Sequence, residues 1–99
     1  MAYEFIAIGE DEEFASYHTI NMDSAHYLMS ALGLDYDPDA YFGDGDEFFF
    51  TDAELSAAEA ALTVAINPPV MATEGLVFLA TLREEIKRKN LSGCSILIS

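Results

Sequence analysis

The sequence predicts a single α+β domain in which a small two- or three-stranded sheet packs against three helices. Three observations favour this class. Short runs rich in strand-forming residues stand near both ends, three segments with helical periodicity lie between them, and 52% of the residues are hydrophobic. A chain of 99 residues has the size of one domain, so we expect residues 1–99 to form one compact acidic unit.

A strand is predicted over residues 3–9, where aromatic and aliphatic residues alternate imperfectly. Four acids follow at residues 10–13, and after them Phe14 and Tyr17 stand at helical spacing. That spacing favours a short helix over residues 11–18.

The first helix with clear end signals is predicted over residues 21–34. Asn21 or Asp23 can cap its first amides, and Gly33 can adopt the left-handed conformation that ends helices. Apolar residues at 3.6-residue spacing mark its buried face, namely Ala25, Leu28, Met29 and Leu32.

A central hairpin is predicted around the Asp-Gly pair at residues 44–45, because this dipeptide favours a two-residue turn between strands. Period two along residues 47–50 then places Phe48 and Phe50 on one face and Phe49 on the other. An isolated hairpin is marginal in water, so we expect it to pair with the N-terminal strand. In an alternative arrangement the two terminal strands are adjacent and the hairpin lies elsewhere.

The second helix begins with the strongest local signal in the chain. Thr51 and Glu54 match a capping box, and Phe50 and Leu55 match the hydrophobic staple around it. We expect the helix to run to about residue 66, just before a pair of prolines.

A third helix is predicted over residues 73–90, with Thr73 as its cap and an apolar first half that belongs in the core. Its second half places opposite charges four residues apart, pairing Glu84 with Arg88 and Glu85 with Lys89. Residues 94–98 predict a closing strand with Ile96 and Ile98 on one face.

The charge is distributed unevenly. Residues 1–82 hold 16 of the 18 acids and neither Lys nor Arg, and the net charge is −14. Such a field repels nucleic acid and anionic membranes and attracts basic proteins or cations. Solubility, or adaptation to a salty cytoplasm, is the simpler explanation of the same acidity.

A cytoplasmic location is expected. The longest apolar run, residues 76–82, is shorter than the roughly 20 residues that cross a bilayer. No basic region precedes an apolar stretch at the N-terminus, so a signal peptide is not predicted.

The sequence offers little catalytic or cofactor chemistry. His18 and His26 are eight residues apart, and the chain contains no HxxxH, CxxC or GxSxG motif. Cys94 stands in an apolar strand, where burial keeps a thiol protonated and unreactive. We therefore expect a protein that is not an enzyme and binds no cofactor.

A calcium site is an alternative that the acidic centre raises. Asp35, Asp37, Asp39 and Asp46 occupy the first, third, fifth and twelfth positions of a stretch that resembles part of an EF-hand loop. The chain also departs from that loop. Ala40 stands where the EF-hand loop needs glycine, and Asp46 stands where the EF-hand loop has Glu. We expect a solvated acidic loop, and a divalent-cation site in residues 35–47 remains the alternative.

Residues 35–54 hold eight carboxylates, six aromatic rings and no base. They predict a non-enzymatic binding protein that engages a basic protein, such as one that binds nucleic acid, without contacting nucleic acid itself. In charge and size the chain resembles nuclease-immunity and DNA-mimic inhibitors. The resemblance is an analogy and not a family match. The predicted contact residues are Asp35, Tyr36, Asp37, Asp39, Tyr41, Asp44, Asp46 and Glu47. A structural subunit of an assembly is a further alternative, and it would show an exposed apolar patch. The oligomeric state is left open.

Overall fold

The computed structural model describes residues 2–11, 15–34, 46–65 and 72–98. Within them, three helices pack on one face of a four-stranded antiparallel sheet. The elements are β1 (Ala2–Gly9), β2 (Ala15–Asn21), α1 (Met22–Ala31), β3 (Asp46–Thr51), α2 (Asp52–Ala65), α3 (Thr73–Lys89) and β4 (Gly93–Ile98). The strand order is β2-β1-β4-β3. None of the helices described here has both the length and the apolar character needed to cross a membrane.

The predicted α+β class is confirmed, but the sheet has four strands instead of two or three. The short helix expected over residues 11–18 is wrong, because residues 15–21 form β2 and pair with β1. Exposure along β2 alternates, with Tyr17 exposed and Ile20 buried. This period of two, satisfied by antiparallel pairing with the preceding strand β1, overrides the local helical spacing of Phe14 and Tyr17.

The two terminal strands are adjacent, as in the alternative arrangement considered from the sequence. β4 pairs with β1 on one side and with β3 on the other, so the expected pairing of the central segment with β1 is wrong. β4 is uncharged and carries the fully buried Ile96 and Ile98, which suits a central position in the sheet. The first arm of the predicted hairpin, residues 41–42, lies outside the described residues.

The predicted ends of α1 and the start of α2 are confirmed. The Asn21 side chain accepts a hydrogen bond from the amide of Asp23 at 2.9 Å, and Gly33 has a φ of 78°. The amide of Thr51 donates to Glu54 Oε1 at 2.9 Å, while the amide of Glu54 donates to Thr51 Oγ1 at 3.2 Å. The four residues predicted for the buried face of α1 all belong to the core.

α3 differs from its prediction at its start and in its ion pairs. Thr73 is the first helical residue, and Ala72 takes the cap position without a side-chain cap. Arg88 pairs with Glu85 at 2.5 Å instead of with Glu84. Lys89 lies 3.9 Å from Asp11 and so ties α3 to the chain just after β1.

The core lies between the helices and the inner face of the sheet. The ring of Phe78 in α3 meets Phe5 of β1 edge to face, with centroids 5.6 Å apart, and His18 of β2 at 4.9 Å. Ile96 and Ile98 of β4 are fully buried beside them. These contacts come from every second residue of each strand. The residues between them therefore face away from the helices.

Candidate functional site

Most of the predicted contact residues lie outside the described residues. These are Asp35, Tyr36, Asp37, Asp39, Tyr41 and Asp44, and most of the acidic loop considered for calcium lies with them. Asp46 and Glu47 begin β3, where they stand opposite Ile98 and Leu97 of β4. Glu47 is exposed, and its parity places it on the sheet face opposite the helices. The predicted stretch therefore leads into the outer surface of the sheet.

That outer surface, called the open face below, is formed by the outward-pointing residues of all four strands. They are Glu4, Ile6 and Ile8 of β1, Ala15, Tyr17 and Thr19 of β2, Glu47 and Phe49 of β3, and Ser95 and Leu97 of β4. The pairing aligns them in rows across the sheet. One row runs Tyr17, Ile6, Leu97 and Glu47, and the next runs Ala15, Ile8, Ser95 and Phe49.

The open face is half apolar, although no described helix packs on it. Tyr17 is 71% exposed and Phe49 is 50% exposed. Ile6, Ile8 and Leu97 are partly exposed and do not belong to the core or to the residues packed against it. With strands about 4.8 Å apart, four strands span roughly 14 Å, so these side chains form one contiguous patch.

The only charges on the open face are negative. Glu4 and Glu47 are both exposed, and none of the ten residues is Lys or Arg. From the strand and residue spacings, the two carboxylates stand roughly 12 Å apart, beside the apolar patch rather than within it. The open face thus joins an apolar centre to an acidic border.

The basic residues lie elsewhere and mostly neutralise the protein's own acids. Arg83 donates from Nε to Asp52 at 3.0 Å and from an Nη atom to Glu59 at 2.9 Å. These hydrogen bonds, first of all the one to Asp52, raise the pKa of Arg83 above its ordinary value. With the Arg88 and Lys89 pairs, three of the four bases are engaged within the molecule.

A cavity of about 460 Å³ lies beside Arg83, between α2 and α3. Arg83 spans it to reach Asp52 and Glu59, and Glu84 and Lys87 also line it. Its described lining contains no His, Cys or Ser that could act as a nucleophile or a neutral base. The two ion pairs of Arg83 hold α2 and α3 together at this cavity.

The thiol and the imidazoles lie in packed surroundings. Cys94 is fully buried, and burial raises the pKa of its thiol to about 11, so it stays protonated at neutral pH. His18 Nε2 lies 2.9 Å from Ser16 Oγ, and its ring packs on Phe78. Across the described residues, no group of three or more His, Cys, Asp and Glu side chains is placed to hold a metal ion.

Glu10 has a structural role at the end of β1. Its carboxylate accepts hydrogen bonds from the amide of Ser92 and from Ser92 Oγ, the latter at 2.9 and 3.0 Å. These bonds, first of all the one from the amide, lower the pKa of Glu10 below its ordinary value. The contact fixes the turn that leads from α3 into β4.

Comparison of the chain with protein-family models, with curated proteins and with solved structures finds no match. The sequence-based prediction included Glu47 but missed Ile6, Ile8, Tyr17 and Leu97. A signal for Ile6, Ile8 and Leu97 exists, because β1 and β4 carry large apolar residues at both odd and even positions, which predicts apolar character on both faces of the sheet.

Proposed function

We propose that this protein is a non-enzymatic binding protein whose acidic surface engages a basic protein, in the manner of a nuclease-immunity or DNA-mimic inhibitor. The observation that supports this proposal is the separation of charge. Three of the four bases are engaged in ion pairs around the C-terminal half of α3, whereas residues 1–82 of the sequence hold 16 of the 18 acids and no base.

A field of this sign selects its partners by charge. Exposed carboxylates occur on the sheet and on all three helices, at Glu4, Asp23, Glu47, Glu54 and Glu74. Steering by such a field raises association rates with oppositely charged surfaces by about 10- to 1,000-fold, and it repels nucleic acid. The residues proposed to contact the basic protein are Asp35, Tyr36, Asp37, Asp39, Tyr41, Asp44, Asp46 and Glu47.

The test is charge reversal at Asp35, Asp37 and Asp39. A variant with all three changed to Lys should bind lysine- and arginine-rich peptides at least about tenfold more weakly, because each reversal replaces an attraction by a repulsion. Fluorescence anisotropy with labelled peptides, at low and at physiological salt, measures the affinity. Melting temperature and circular dichroism check that the fold is retained.

The matched control reverses Glu12, Glu13 and Asp23, which changes the net charge equally outside the predicted stretch. If both triple variants lose affinity to the same extent, the binding is delocalised and the assignment to residues 35–54 is wrong. If the unaltered protein binds basic peptides no more tightly than neutral ones, the proposed function itself fails.

A second candidate, a subunit of a larger assembly, is favoured by the apolar patch of the open face. Contiguous exposed apolar surface of this kind marks interaction sites in soluble proteins. Tyr17 and Phe49 supply its most exposed rings. The two candidates differ in what covers the patch, a basic protein or a neighbouring subunit of the assembly. The experiment in the next subsection tests the case in which that subunit is a second copy of the chain.

A further inference from the structure

We infer that the open face is the docking surface for the basic partner, and that it takes an apolar stripe flanked by lysine or arginine, as on a basic amphipathic helix. The inference rests on the proposed function and deepens it, because it names the surface and the chemistry of the segment that binds there. It also moves the centre of recognition from the acidic loop to the sheet.

The apolar centre supplies the area for binding. Tyr17 is 71% exposed and Phe49 is 50% exposed, and both rings are of the type enriched at interface centres. Ile6 and Leu97 lie between Tyr17 and Glu47 in one row of the sheet. Ile8 extends the patch along β1 into the row that ends at Phe49. A helix is about 10 Å wide, so it fits across a patch roughly 14 Å broad.

Charge complementarity indicates which residues flank the apolar stripe of the partner. Glu4 and Glu47 stand on two sides of the apolar patch, and no base on the open face neutralises them. A lysine or arginine at each side of an apolar stripe can donate to these carboxylates while the stripe covers Ile6 and Leu97. An acidic or neutral apolar segment would leave both carboxylates beside a dry interface without a partner, which is costly.

The same charges argue against a second copy of the chain as the occupant. Two open faces brought together would juxtapose Glu4 and Glu47 of both copies with no base on either surface. Like charges placed together across an interface oppose association. Each copy also carries a net charge of −14, which opposes association at ordinary salt.

The chain connects this face to the predicted contact stretch. β3 follows directly on residues 35–45, and its outward residues Glu47 and Phe49 belong both to that stretch and to the open face. A partner seated on the open face would therefore contact Glu47 and Phe49, which are described residues of that stretch.

The experiment compares two peptides of identical composition. One places leucines at helical i, i+3, i+4 and i+7 positions with lysine and arginine elsewhere, and the other scrambles that order so that the charge is retained and the stripe is lost. We expect the protein to bind the first peptide about tenfold more tightly than the second at physiological salt, a difference of about 1.4 kcal/mol.

Two variants assign the preference to the open face. Tyr17→Ser with Phe49→Ser removes the two exposed rings without changing the charge, and it should abolish the tenfold preference. The matched control is Val64→Ser with Val77→Ser, since these residues are 85% and 55% exposed on α2 and α3. The control should bind both peptides as the unaltered protein does. Glu4→Gln with Glu47→Gln should weaken the binding of both peptides and reduce its salt dependence, and it keeps the apolar centre intact if the ring variant fails to fold.

Each remaining outcome overturns a definite statement. If both peptides bind equally and the ring variant changes nothing, the open face is not the docking surface, while the proposed function stands on the charge reversal at residues 35–39. If neither peptide binds, the proposed function fails. If sedimentation shows a dimer that the ring variant converts to a monomer, the open face belongs to a second copy and the inferred partner is wrong.

Discussion

The two faces of the sheet differ in what covers them, although both carry large apolar side chains. The inner face carries Phe5, Ile96 and Ile98, all fully buried under the helices. The open face carries Ile6, Leu97 and other apolar side chains with no described helix over them. Antiparallel sheets covered on one side ordinarily place polar residues on the other.

This difference separates folding from recognition. Inner residues are required for the core, because their removal leaves a cavity that the helices cannot refill. Outer apolar residues contribute little to that core, so their presence points to a contact made outside the chain.

Neighbouring residues of β4 provide the most direct test. Ile96 is fully buried, whereas Leu97 is partly exposed on the open face. Ile96→Ala should lower the free energy of unfolding by about 2–5 kcal/mol, since it creates a cavity. Leu97→Ala should cost about 1 kcal/mol or less, because the side chain loses little burial. Urea denaturation of both variants, with unchanged slope, gives the comparison.

Equal losses at the two positions would contradict this account, because they would mean that the outer face is covered as completely as the inner one. A loss at Leu97 larger than that at Ile96 would remove the argument for an open face altogether. The open-face residues would then be explained by stability, without any partner.

The sequence predicted the parts of this comparison that depend on local chemistry. The Asn21 cap, the Thr51 and Glu54 capping box and the face of β4 that carries Ile96 and Ile98 are all found as expected. Each depends on residues within one or two helical turns, or on strand period, so a single sequence contains the information.

The parts that were missed depend on long-range pairing. β2 has only seven residues, and nothing local says that Tyr3 will stand opposite Ile20. The open face requires the order of all four strands, because Tyr17, Ile6 and Leu97 become neighbours only across β2, β1 and β4. Sequence reasoning therefore found the acidity of the candidate site and not its apolar centre.

The second prediction concerns Gly93, where β4 begins. A Cβ atom at this position would lie 2.1 Å from the carbonyl oxygen of Phe50 and 2.9 Å from both the Phe49 ring and Thr51 Cα. Gly93→Ala should lower the free energy of unfolding by about 1–3 kcal/mol, because the β3 backbone must move away. Ser95→Ala, on the same strand and on the open face, is the control and should change it by about 0.5 kcal/mol at most. Thermal and urea denaturation report both.

Adding Phe49→Ala to Gly93→Ala sharpens the result. Truncating the ring relieves the contact on the open face but leaves the closer contact with the carbonyl oxygen of Phe50. The double variant should therefore remain destabilised relative to Phe49→Ala alone. Full recovery would show that the ring, rather than the close approach of the two strands, requires glycine at this position.

The smallest effect is expected from Glu10→Gln, and it should depend on pH. The pKa of Glu10 is lower in the folded protein than its ordinary value of 4.5, chiefly because the amide of Ser92 donates to the carboxylate. A group whose pKa falls on folding contributes stability above its unfolded pKa and loses it as the pH falls through the folded value. At neutral pH the Gln variant should therefore be less stable than the unaltered protein.

The gap between the two proteins should close on acidification below pH 4.5, as Glu10 itself becomes protonated. Glu4→Gln is the matched control, because it removes one negative charge from the open face, where the exposed carboxylate meets the repulsion of a net charge of −14. At neutral pH that control should be unchanged or slightly more stable. Urea midpoints across the acidic range measure both variants. If the stability gap for Glu10→Gln widens on acidification, the Glu10 carboxylate is not held by Ser92. If Glu4→Gln loses as much stability as Glu10→Gln, the acids of the open face have a structural role, which weakens the case for a partner there.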